Sequence, residues 1–331
     1  MLTPKINGFY TSPGTFLTDA KRSIQSRFRL YKHQEPLGQI GNRTVLSSAL
    51  AQHPINQAIS SAEPYAAARL GTVEGDIISW RIRHRGRLMP IALLKNGKNL
   101  AGIFPATQEA AAEFADLYID SVRKLDLLGV RNKDFFSGYF KMERTVIDAT
   151  NPKALSCIDA LSPYGEENSW VKTLCGKKVL VIHPFSSTIE RQYPTKRSDL
   201  FLDKDWLPEF ELLVYKPFQT AGDASPIGEP STWAKALDQM LQEISQLSFD
   251  VALISAGAYG LPLATGVKDM GKVGIHIGGV LQLFFGIRGG RWDPLSSQYD
   301  FLANYHSDAW VRPSKEETPV WSRSVEGGAY W

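Results

Sequence analysis

Two consecutive strand–turn–helix patterns fill residues 249–293, which read FDVALISAGAYGLPLATGVKDMGKVGIHIGGVLQLFFGIRGGRWD. The apolar runs at 249–255 and 273–277 are typical of buried parallel strands. A glycine-containing turn follows each run, and Pro262 stands where the first turn of a helix tolerates a missing N–H group. The sequence therefore predicts an α/β fold, with a Rossmann-like, mostly parallel sheet flanked by helices.

The two glycine turns are predicted to border a ligand crevice. In open α/β sheets, ligands bind outside the carboxyl ends of the strands, where helix N-termini offer N–H groups to an anion. Tight connections without a ligand would need the same glycines, and the strict G-x-G-x-x-G fingerprint of dinucleotide sites is absent. Two such turns in succession, beside aromatic and polar side chains, favour the crevice. The candidate binding residues of this stretch are Gly257, Tyr259, Gly260, His276, Gly278, Gly279 and Gln282.

Arg288 and Arg291 are further candidates for binding the same ligand. They follow a predicted helix that begins near Val280, and they lie about 12 Å from its start at a rise of roughly 1.5 Å per residue. They reach the crevice only if Gly289-Gly290 turns the chain back. Otherwise these arginines serve an acceptor or a protein interface.

The composition is that of an ordinary globular protein, with 331 residues, 43% of them hydrophobic and 21% charged. The net charge of +3 is too small to indicate a nucleic-acid partner, although it allows a local basic pocket for phosphate. The two cysteines have neither metal-site nor disulfide-framework spacing. No apolar run reaches the roughly 18 residues of a transmembrane helix, and no secretory signal pattern is seen. We therefore expect a cytoplasmic protein, with peripheral attachment to the inner membrane face and homo-oligomer formation left open.

The domain organisation follows from where these patterns begin and end. Residues 1–40 are polar and turn-rich and are expected to form an N-terminal extension. A single Rossmann-like domain is predicted for 41–295, and an aromatic-rich C-terminal extension for 296–331. Most aromatic rings of that extension should pack against the core, although such rings also stack on sugars or bases. Residues 220–230 are expected to form a mobile loop over the site.

The remaining elements are predicted from the period of their apolar residues. Helices are expected at 44–61, 108–127 and 233–247, a helix followed by a loop over 154–170, and strands within 135–147 and at 179–182 and 210–215. Thr107 is the predicted N-cap of the second of these helices.

A second informative stretch is PYAAARLGTVEGDIISW, residues 64–80. It predicts a short strand at 65–70, a turn at Gly71 and a helix capped by Thr72. Carboxylates in a first helical turn are explained by dipole complementarity alone. The functional interpretation instead places three charged side chains at the carboxyl edge of the sheet, as catalytic candidates. These are Arg69, Glu74 and Asp76.

The turn after the predicted strand at 179–182 reads HPFSSTI and offers a second place for a phosphate. Hydroxyl and N–H groups at the carboxyl end of a strand suit such a ligand. Ser187 and Glu190 also have the spacing of a capping box, which needs no ligand. His183 is a general base, a donor to a diphosphate, or a satisfied structural group. The candidate binding residues of this turn are His183, Ser186, Ser187 and Thr188.

Five collinear motifs lie between residues 60 and 293. They are ARLGTVE, AGIFPAT, GKKVLVIHPFSSTI, FDVALISAGAYGLPLA and KVGIHIGGVLQLFFGIRGGRWD. Together they resemble the GT-D fold glycosyltransferases, bacterial enzymes of surface-polysaccharide and glycoprotein assembly. The resemblance implies a Rossmann-like domain that binds a nucleotide-sugar, usually a UDP-sugar, and transfers the sugar to an acceptor.

The site of that family combines an R-x-G turn with an Asp-x-Glu triplet. Here Arg69, Gly71 and Glu74 match, but Thr72 stands where the family has Asp. Two carboxylates can hold Mn²⁺ or Mg²⁺ against a leaving diphosphate, whereas a threonine hydroxyl is a neutral, weak ligand. The resemblance implies Glu74 as general base or metal ligand and leaves Mn²⁺ or Mg²⁺ as an optional cofactor. Asp76, backbone N–H groups or basic side chains would otherwise carry the charge.

The expected function is that of a hexosyltransferase-like glycosyltransferase. Its donor would be a nucleotide diphosphate sugar, and its acceptor a surface polysaccharide or another glycan, including a lipid-linked one. The Thr72 replacement keeps open a non-catalytic protein that binds a nucleotide-sugar. The third hypothesis is a different α/β enzyme that acts on phosphorylated sugars.

Overall fold

The computed structural model describes residues 38–131, 138–221, 229–293, 307–324 and 326–331. The predicted N-terminal extension lies outside these stretches except for residues 38–40. Most of the loop expected over the site, and the beginning of the strand expected within 135–147, also lie outside the described residues.

Nine strands of the described residues form one sheet. They are β1 (Gln39–Ile40), β2 (Arg43–Leu46), β3 (Tyr65–Arg69), β4 (Leu127–Val130), β5 (Ala154–Cys157), β6 (Lys178–Ile182), β7 (Glu211–Tyr215), β8 (Val251–Ile254) and β9 (Val273–His276). Their order is β1-β2-β5-β4-β3-β9-β8-β6-β7, and every neighbouring pair is parallel except β1 with β2. The predicted Rossmann-like, mostly parallel α/β sheet is confirmed.

Helices flank this sheet. Those of the described residues are α1 (Ser48–Ser61), α2 (Thr72–Arg83), α3 (Ile91–Asn96), α4 (Gln108–Lys124), α5 (Gly138–Thr150), α6 (Ser186–Lys196), α7 (Trp233–Ser245) and α8 (Gly260–Asp269). Short 3-10 turns join several elements, among them Gly257–Tyr259 and Gly279–Phe285. In this described part of the chain, no helix combines the length and the apolar character needed to span a bilayer.

The helices form two layers, one on each face of the sheet. Helices α2, α4, α5, α7 and α8 pack on one face, whereas α1, α6 and the segment 158–174 pack on the other. Parallel crossovers are almost always right-handed, so the direction of each step across the sheet decides the face. The chain steps from β6 outward to β7, but from β8 inward to β9. Helices α6 and α8 therefore lie on opposite faces, and a crevice opens at the carboxyl ends of their strands.

Most predicted elements agree with the structure. The strands expected at 179–182 and 210–215 are β6 and β7, and the helix expected at 233–247 is α7. Thr107 caps α4 as predicted, because its hydroxyl accepts the Ala110 N–H at 3.2 Å. Local signals of this kind suffice where no competing pattern is present.

Two predicted elements are wrong, and the helix expected at 44–61 begins only at Ser48, because residues 43–46 form β2. The strand expected within 135–147 is helix α5 where it is described, with Met142 and Val146 one turn apart and both buried against the sheet. The helix expected from residue 154 begins instead with β5, whose Leu155 pairs with Leu128 of β4. A short apolar run fits both a strand and a buried helix, and here pairing with β4 decides.

The contact between α8 and β9 includes a glycine that has no room for a side chain. A Cβ on Gly274 would lie 2.5 Å from the carbonyl oxygen of Ala264 and 2.9 Å from its Cα atom. We expect Gly274→Ala to lower the free energy of unfolding by about 1–3 kcal/mol, because the backbone of one element must move. Denaturant unfolding monitored by circular dichroism measures this change.

Gly266→Ala in α8 is the matched control. Its added methyl group would meet only the end of the Leu241 side chain, 2.3 Å away, which can rotate. Alanine also favours a helix over glycine by up to about 1 kcal/mol. Equal loss of stability in the two variants would contradict the steric argument.

Candidate active site

The parallel register brings the carboxyl ends of four strands into one row. Ile182 of β6 pairs with Ile254 of β8, which pairs with His276 of β9, which in turn pairs with Ala68 of β3. Neighbouring strands lie about 4.8 Å apart. The residues that follow this row come together at one edge of the sheet, although they are far apart in the chain.

A cavity of about 350 Å³ opens at this edge, a volume typical of small-molecule sites. Its wall comes from the turns after β3, β4, β6, β7, β8 and β9 and from the C-terminal residues. Most of the residues predicted from the sequence lie on this wall. They are Arg69, Gly71, Thr72, Glu74, His183, Gly257, Tyr259, His276, Gly278, Gly279, Gln282 and Arg291.

The other predicted residues lie off the wall. Asp76 lies further along α2, where burial raises the pKa of its carboxyl to about 6 against the opposing charge of Arg83. Gly260 makes room for a histidine, since a Cβ there would be 2.1 Å from the Nδ1 atom of His276. The N–H group of Arg288 donates to the carbonyl of Val311 at 2.8 Å. Ser186, Ser187 and Thr188 also lie off the wall.

Glu74 is held over the turn that precedes its helix. Gly71 is the N-cap of α2, and Glu74 follows in the first turn. A Cβ on Gly71 would be only 2.0 Å from Glu74 Oε2, so the close approach of this carboxylate requires glycine. The positive end of the helix dipole stabilises the charge there. The prediction that Thr72 caps α2 is wrong, because Thr72 is already the first helical residue.

Arg69 lies against the turn after β9. A Cβ on Gly278 would be 3.1 Å from Arg69 Cδ, and the φ of +78° at Gly278 also favours glycine. Burial raises the pKa of the Tyr118 hydroxyl, with the charge of Glu74 adding to the shift and that of Arg69 opposing it. One guanidinium and one carboxylate therefore act on the same buried phenol.

The charged side chains of the described wall are Arg69, Glu74, Arg131 and Arg291. With three arginines and one carboxylate, the wall favours an anion. Arg131 is held by the buried Glu143, which accepts its N–H at 3.1 Å and its guanidinium at 3.2 Å. Burial raises the pKa of Glu143 to about 7, against the opposing charges of Arg131 and Arg69.

The turn after β8 presents the start of a helix to the cavity. The 3-10 turn Gly257–Tyr259 runs directly into α8, and the first N–H groups of a helix have no intrahelical acceptor. At Gly257 the φ is +52°, and a Cβ there would meet open space. Donors and dipole at this end both suit an anion. Tyr259 instead serves packing, with its ring stacked 4.6 Å from that of Trp233.

His183 and His276 are neutral but present opposite hydrogen-bonding groups. Burial lowers the pKa of each to about 3, and Arg69 adds to the shift at His276. Nδ1 of His183 accepts the Phe185 N–H at 2.9 Å, so Nε2 is a donor, and it has no partner among the described residues. Nδ1 of His276 lies 3.3 Å from the carbonyl of Ile254, which can only accept, so its Nε2 is an acceptor. This arrangement suits His183 as a donor rather than as a general base.

The N-terminus of α6 is occupied by a side chain of this protein. The N–H groups of Ser187 and Thr188 donate to Oε1 of Glu317 at 2.8 and 3.3 Å, and the Thr188 hydroxyl donates to Oε2. This buried carboxylate stands where a ligand phosphate was expected. The predicted capping box with Glu190 is wrong, because the N-cap is Phe185.

The turn after β9 is tied to the C-terminal residues. The side-chain amide of Gln282 donates to the carbonyls of Ile287 and Tyr330, both at 3.1 Å. Both of its hydrogens are thus used inside the protein, which leaves only its carbonyl oxygen for a ligand. Gln282 therefore holds the C-terminal segment against the turn.

The chain turns back at Gly289-Gly290, so that Arg291 lines the cavity. Its N–H group donates to the carbonyl of Ala329 at 2.9 Å. Its guanidinium carbon lies 4.8 Å from the centre of the Tyr330 ring, and NH1 lies 3.3 Å from the Tyr330 hydroxyl. Arg288, three residues earlier, stays off the wall.

Several residues of the cavity wall are not predicted from the sequence. Arg131 follows the apolar run at 127–130, and reading that run as a separate strand would have placed it at the sheet edge. Trp321, Tyr330 and Trp331 also line the cavity. They come from a stretch without regular periodicity, which carries no signal for its position.

The side chains of the described wall do not fit a resident divalent ion. Glu74 is its lone carboxylate, and Thr72 adds only a hydroxyl. Nowhere in the described stretches do three His, Cys, Asp or Glu side chains form a candidate metal cluster. Mg²⁺ and Mn²⁺ prefer several oxygen ligands.

Comparison with known proteins connects this geometry to a fold family. Residues 228–284 match the model of the GT-D fold-like domain. The resemblance to the GT-D fold is thereby confirmed over the segment that contains α7, β8, α8 and β9. A solved selenomethionine-substituted structure of domain of unknown function 1792 is 11% identical, with a TM-score of 0.44, and the alignment covers 86% of this chain and 94% of that one. No curated protein matches the sequence.

The Glu317 contact generates a prediction about stability. We expect Glu317→Ala to lower the free energy of unfolding by about 1–3 kcal/mol, because two helix N–H groups and a buried hydroxyl lose their acceptor. Glu316→Ala removes a neighbouring, exposed carboxylate and is the matched control. Chemical denaturation measures both, and indistinguishable midpoints would show that the contact adds nothing.

Glu143 generates a prediction about pH. Its pKa rises from 4.5 to about 7 on folding, so between these values the folded state keeps a proton that the unfolded state has lost. The free energy of unfolding therefore falls by up to about 3 kcal/mol as pH rises through this window. Glu143→Gln should flatten that slope, whereas Glu113→Gln on the exposed side of α4 should not. Urea titrations at several pH values measure the slope, and an unchanged slope in Glu143→Gln would refute the assignment.

Proposed function

We propose that this protein is a glycosyltransferase that moves a sugar from a nucleoside diphosphate sugar, with uridine as the expected nucleoside, to a hydroxyl of a glycan acceptor. The observation that carries the proposal is the juxtaposition of the Glu74 carboxylate with a positively charged cavity and the helix start at Gly257. An anion site beside one held carboxylate suits a reaction in which a diphosphate leaves and a hydroxyl loses its proton.

Several groups of the cavity wall would bind the diphosphate of the donor. The N–H groups at Gly257 and Ala258, together with Arg69 and Arg291, would hold it and stabilise the charge that develops as it leaves. Nε2 of His183 would donate a further hydrogen bond. The N-terminus of α6 is not used, because Glu317 already satisfies it.

Glu74 would act as the general base. The acceptor oxygen forms a bond to the anomeric carbon, and its proton passes to the Glu74 carboxylate. The bond between that carbon and the diphosphate oxygen breaks, and the electron pair leaves with the nucleoside diphosphate. In the resembled family a second carboxylate can help to hold a metal ion against the leaving diphosphate. Here arginine guanidinium groups and backbone N–H groups would instead neutralise the charge of that diphosphate.

One observation favours a second candidate function. The described wall contains a single carboxylate, with Thr72 where the resembled family has Asp. A protein that binds a nucleotide-sugar without transferring it would retain the anion site and lose the need for Glu74. A non-catalytic protein and a glycosyltransferase would bind the same ligand, but only the glycosyltransferase would form a product.

The test combines binding with turnover. Wild type should bind UDP and UDP-glucose in calorimetry, and should release UDP from the sugar nucleotide in the presence of a glycan acceptor pool. Glu74→Gln should lower turnover at least about a hundredfold, in keeping with loss of a general base, with nucleotide affinity within about threefold. Glu109→Gln, in the first turn of α4 and away from the cavity, is the matched control.

Each part of the proposal has an outcome that contradicts it. Full turnover in Glu74→Gln would remove this carboxylate from the mechanism. Tight binding with neither transfer nor hydrolysis would favour the non-catalytic protein. A thermal shift with glucose 6-phosphate but none with UDP would favour an enzyme of phosphorylated sugars. Repeating the assay with Mn²⁺ or Mg²⁺ and with EDTA tests the arginine-based account, which expects no change.

A further inference from the structure

The cavity crosses the edge of the sheet and has an apolar wall on each side. Phe218 and Tyr259 belong to the core layer of α7 and α8. Phe185, Tyr330 and Trp331 belong to the opposite layer. Between the two lie the charged and polar groups. The wall on the side of the C-terminus, formed by Phe185, Trp321, Tyr330 and Trp331, is here called the aromatic wall.

Trp331 occupies the centre of the aromatic wall. Its ring centre lies 6.0 Å from that of Phe185, 6.0 Å from that of Trp321 and 6.1 Å from that of Tyr330, at interplanar angles of 72°, 83° and 85°. Each of the three pairs is therefore T-shaped and not stacked. No described ring stacks parallel to this indole.

Two other aromatic pairs of this protein are stacked. Tyr164 and Trp206 are stacked at 4.6 Å with an interplanar angle of 2°, and Trp233 and Tyr259 at 4.6 Å with 3°. Those rings cover each other inside the core. A half-buried indole on a cavity wall, without a stacking partner among the described rings, offers its flat apolar face to a ligand.

The orientation of Trp331 is fixed without a ligand. Its indole N–H donates to the carbonyl of Glu317 at 2.8 Å, and its own main-chain oxygen accepts the Gly290 N–H at 2.9 Å. Glu317 is in turn bound through its side chain to the N-terminus of α6. A ring held in place before binding loses little conformational entropy when a ligand stacks on it.

We propose that Trp331 stacks on the sugar ring of the donor, which makes it a specificity-determining residue. The inference rests on the proposed function. A pyranose has an apolar face of C–H groups and a rim of hydroxyls. The Tyr330 hydroxyl and NH1 of Arg291, 3.3 Å apart, lie at the edge of the aromatic wall and match that rim. Arg291 also places positive charge where the diphosphate meets the sugar.

The test compares a nucleotide with its sugar conjugate. By calorimetry, Trp331→Leu should weaken UDP-glucose binding about tenfold, the scale of one aromatic contact, and leave the UDP dissociation constant within about twofold. Trp331→Phe keeps a flat ring and should recover most of the difference. Trp80→Leu, on α2 and away from the cavity, controls for the loss of a tryptophan.

A fluorescence measurement supports the test if Trp331→Leu does not fold. Stacking of a sugar on Trp331 should change wild-type tryptophan emission on addition of UDP-glucose beyond the change caused by UDP. That extra change should be absent from Trp331→Phe and present in Trp80→Leu. An identical extra change in Trp331→Phe would overturn the proposal.

The outcomes separate this proposal from the one on which it rests. Equal weakening of UDP and UDP-glucose in Trp331→Leu would place the base on the aromatic wall and overturn the sugar assignment. Unchanged binding of both would remove Trp331 from recognition while the proposed function stands. A wild type that binds neither member of the uridine pair nor GDP and GDP-mannose would refute the proposed function itself.

Discussion

The parallel register of β3, β9, β8 and β6 is the constraint on which the site depends. Because Ala68, His276, Ile254 and Ile182 are paired across these strands, the turns that follow them begin at the same height. A slip of one residue in any strand would displace its turn and exchange the side chains that face the two helix layers. Since these strands are apolar on both faces, burial alone does not fix the register, and close contacts such as that of Gly274 in β9 with Ala264 in α8 help to select it. The cavity thus inherits its geometry from the core of the sheet and not from the loops.

Glycines at this edge act mainly through close approach. Gly71 admits the Glu74 carboxylate, Gly260 admits the His276 ring and Gly278 admits the Arg69 side chain. In each case the missing Cβ lets a polar side chain lie against the backbone of a turn, where side-chain rotation is restricted. The two histidines are kept neutral by the same burial that holds them in position. Polar groups fixed in this way need little reorganisation when a charged ligand arrives.

The sequence predicted the sheet, its glycine turns and the R-x-G element because these depend on local patterns. A buried strand, a cap and a glycine turn each carry their signal within a few residues. The side chains from distant parts of the chain that bind to those elements could not be predicted from local patterns. Nothing near Ser187 indicates that Glu317, far along the chain, satisfies the helix end. Likewise, β5 was predicted as a helix because its four residues, ALSC, are too few to show a period, and only pairing with β4 distinguishes the two structures. Arg131 was missed together with its strand.

Glu317 also affects which helix N-terminus of this fold is left to bind an anion. Both α6 and α8 begin at the crevice, so both could attract a phosphate. An internal carboxylate satisfies the donors of α6, which leaves the start of the helix at Gly257 as the better place for a ligand anion. The backbone carbonyl of the same residue accepts the indole N–H of Trp331 and orients its ring. Glu317 therefore removes a competing anion site through its side chain and positions a ring of the aromatic wall through its main chain. The C-terminal segment is in this sense part of the cavity, since the wall is incomplete without it.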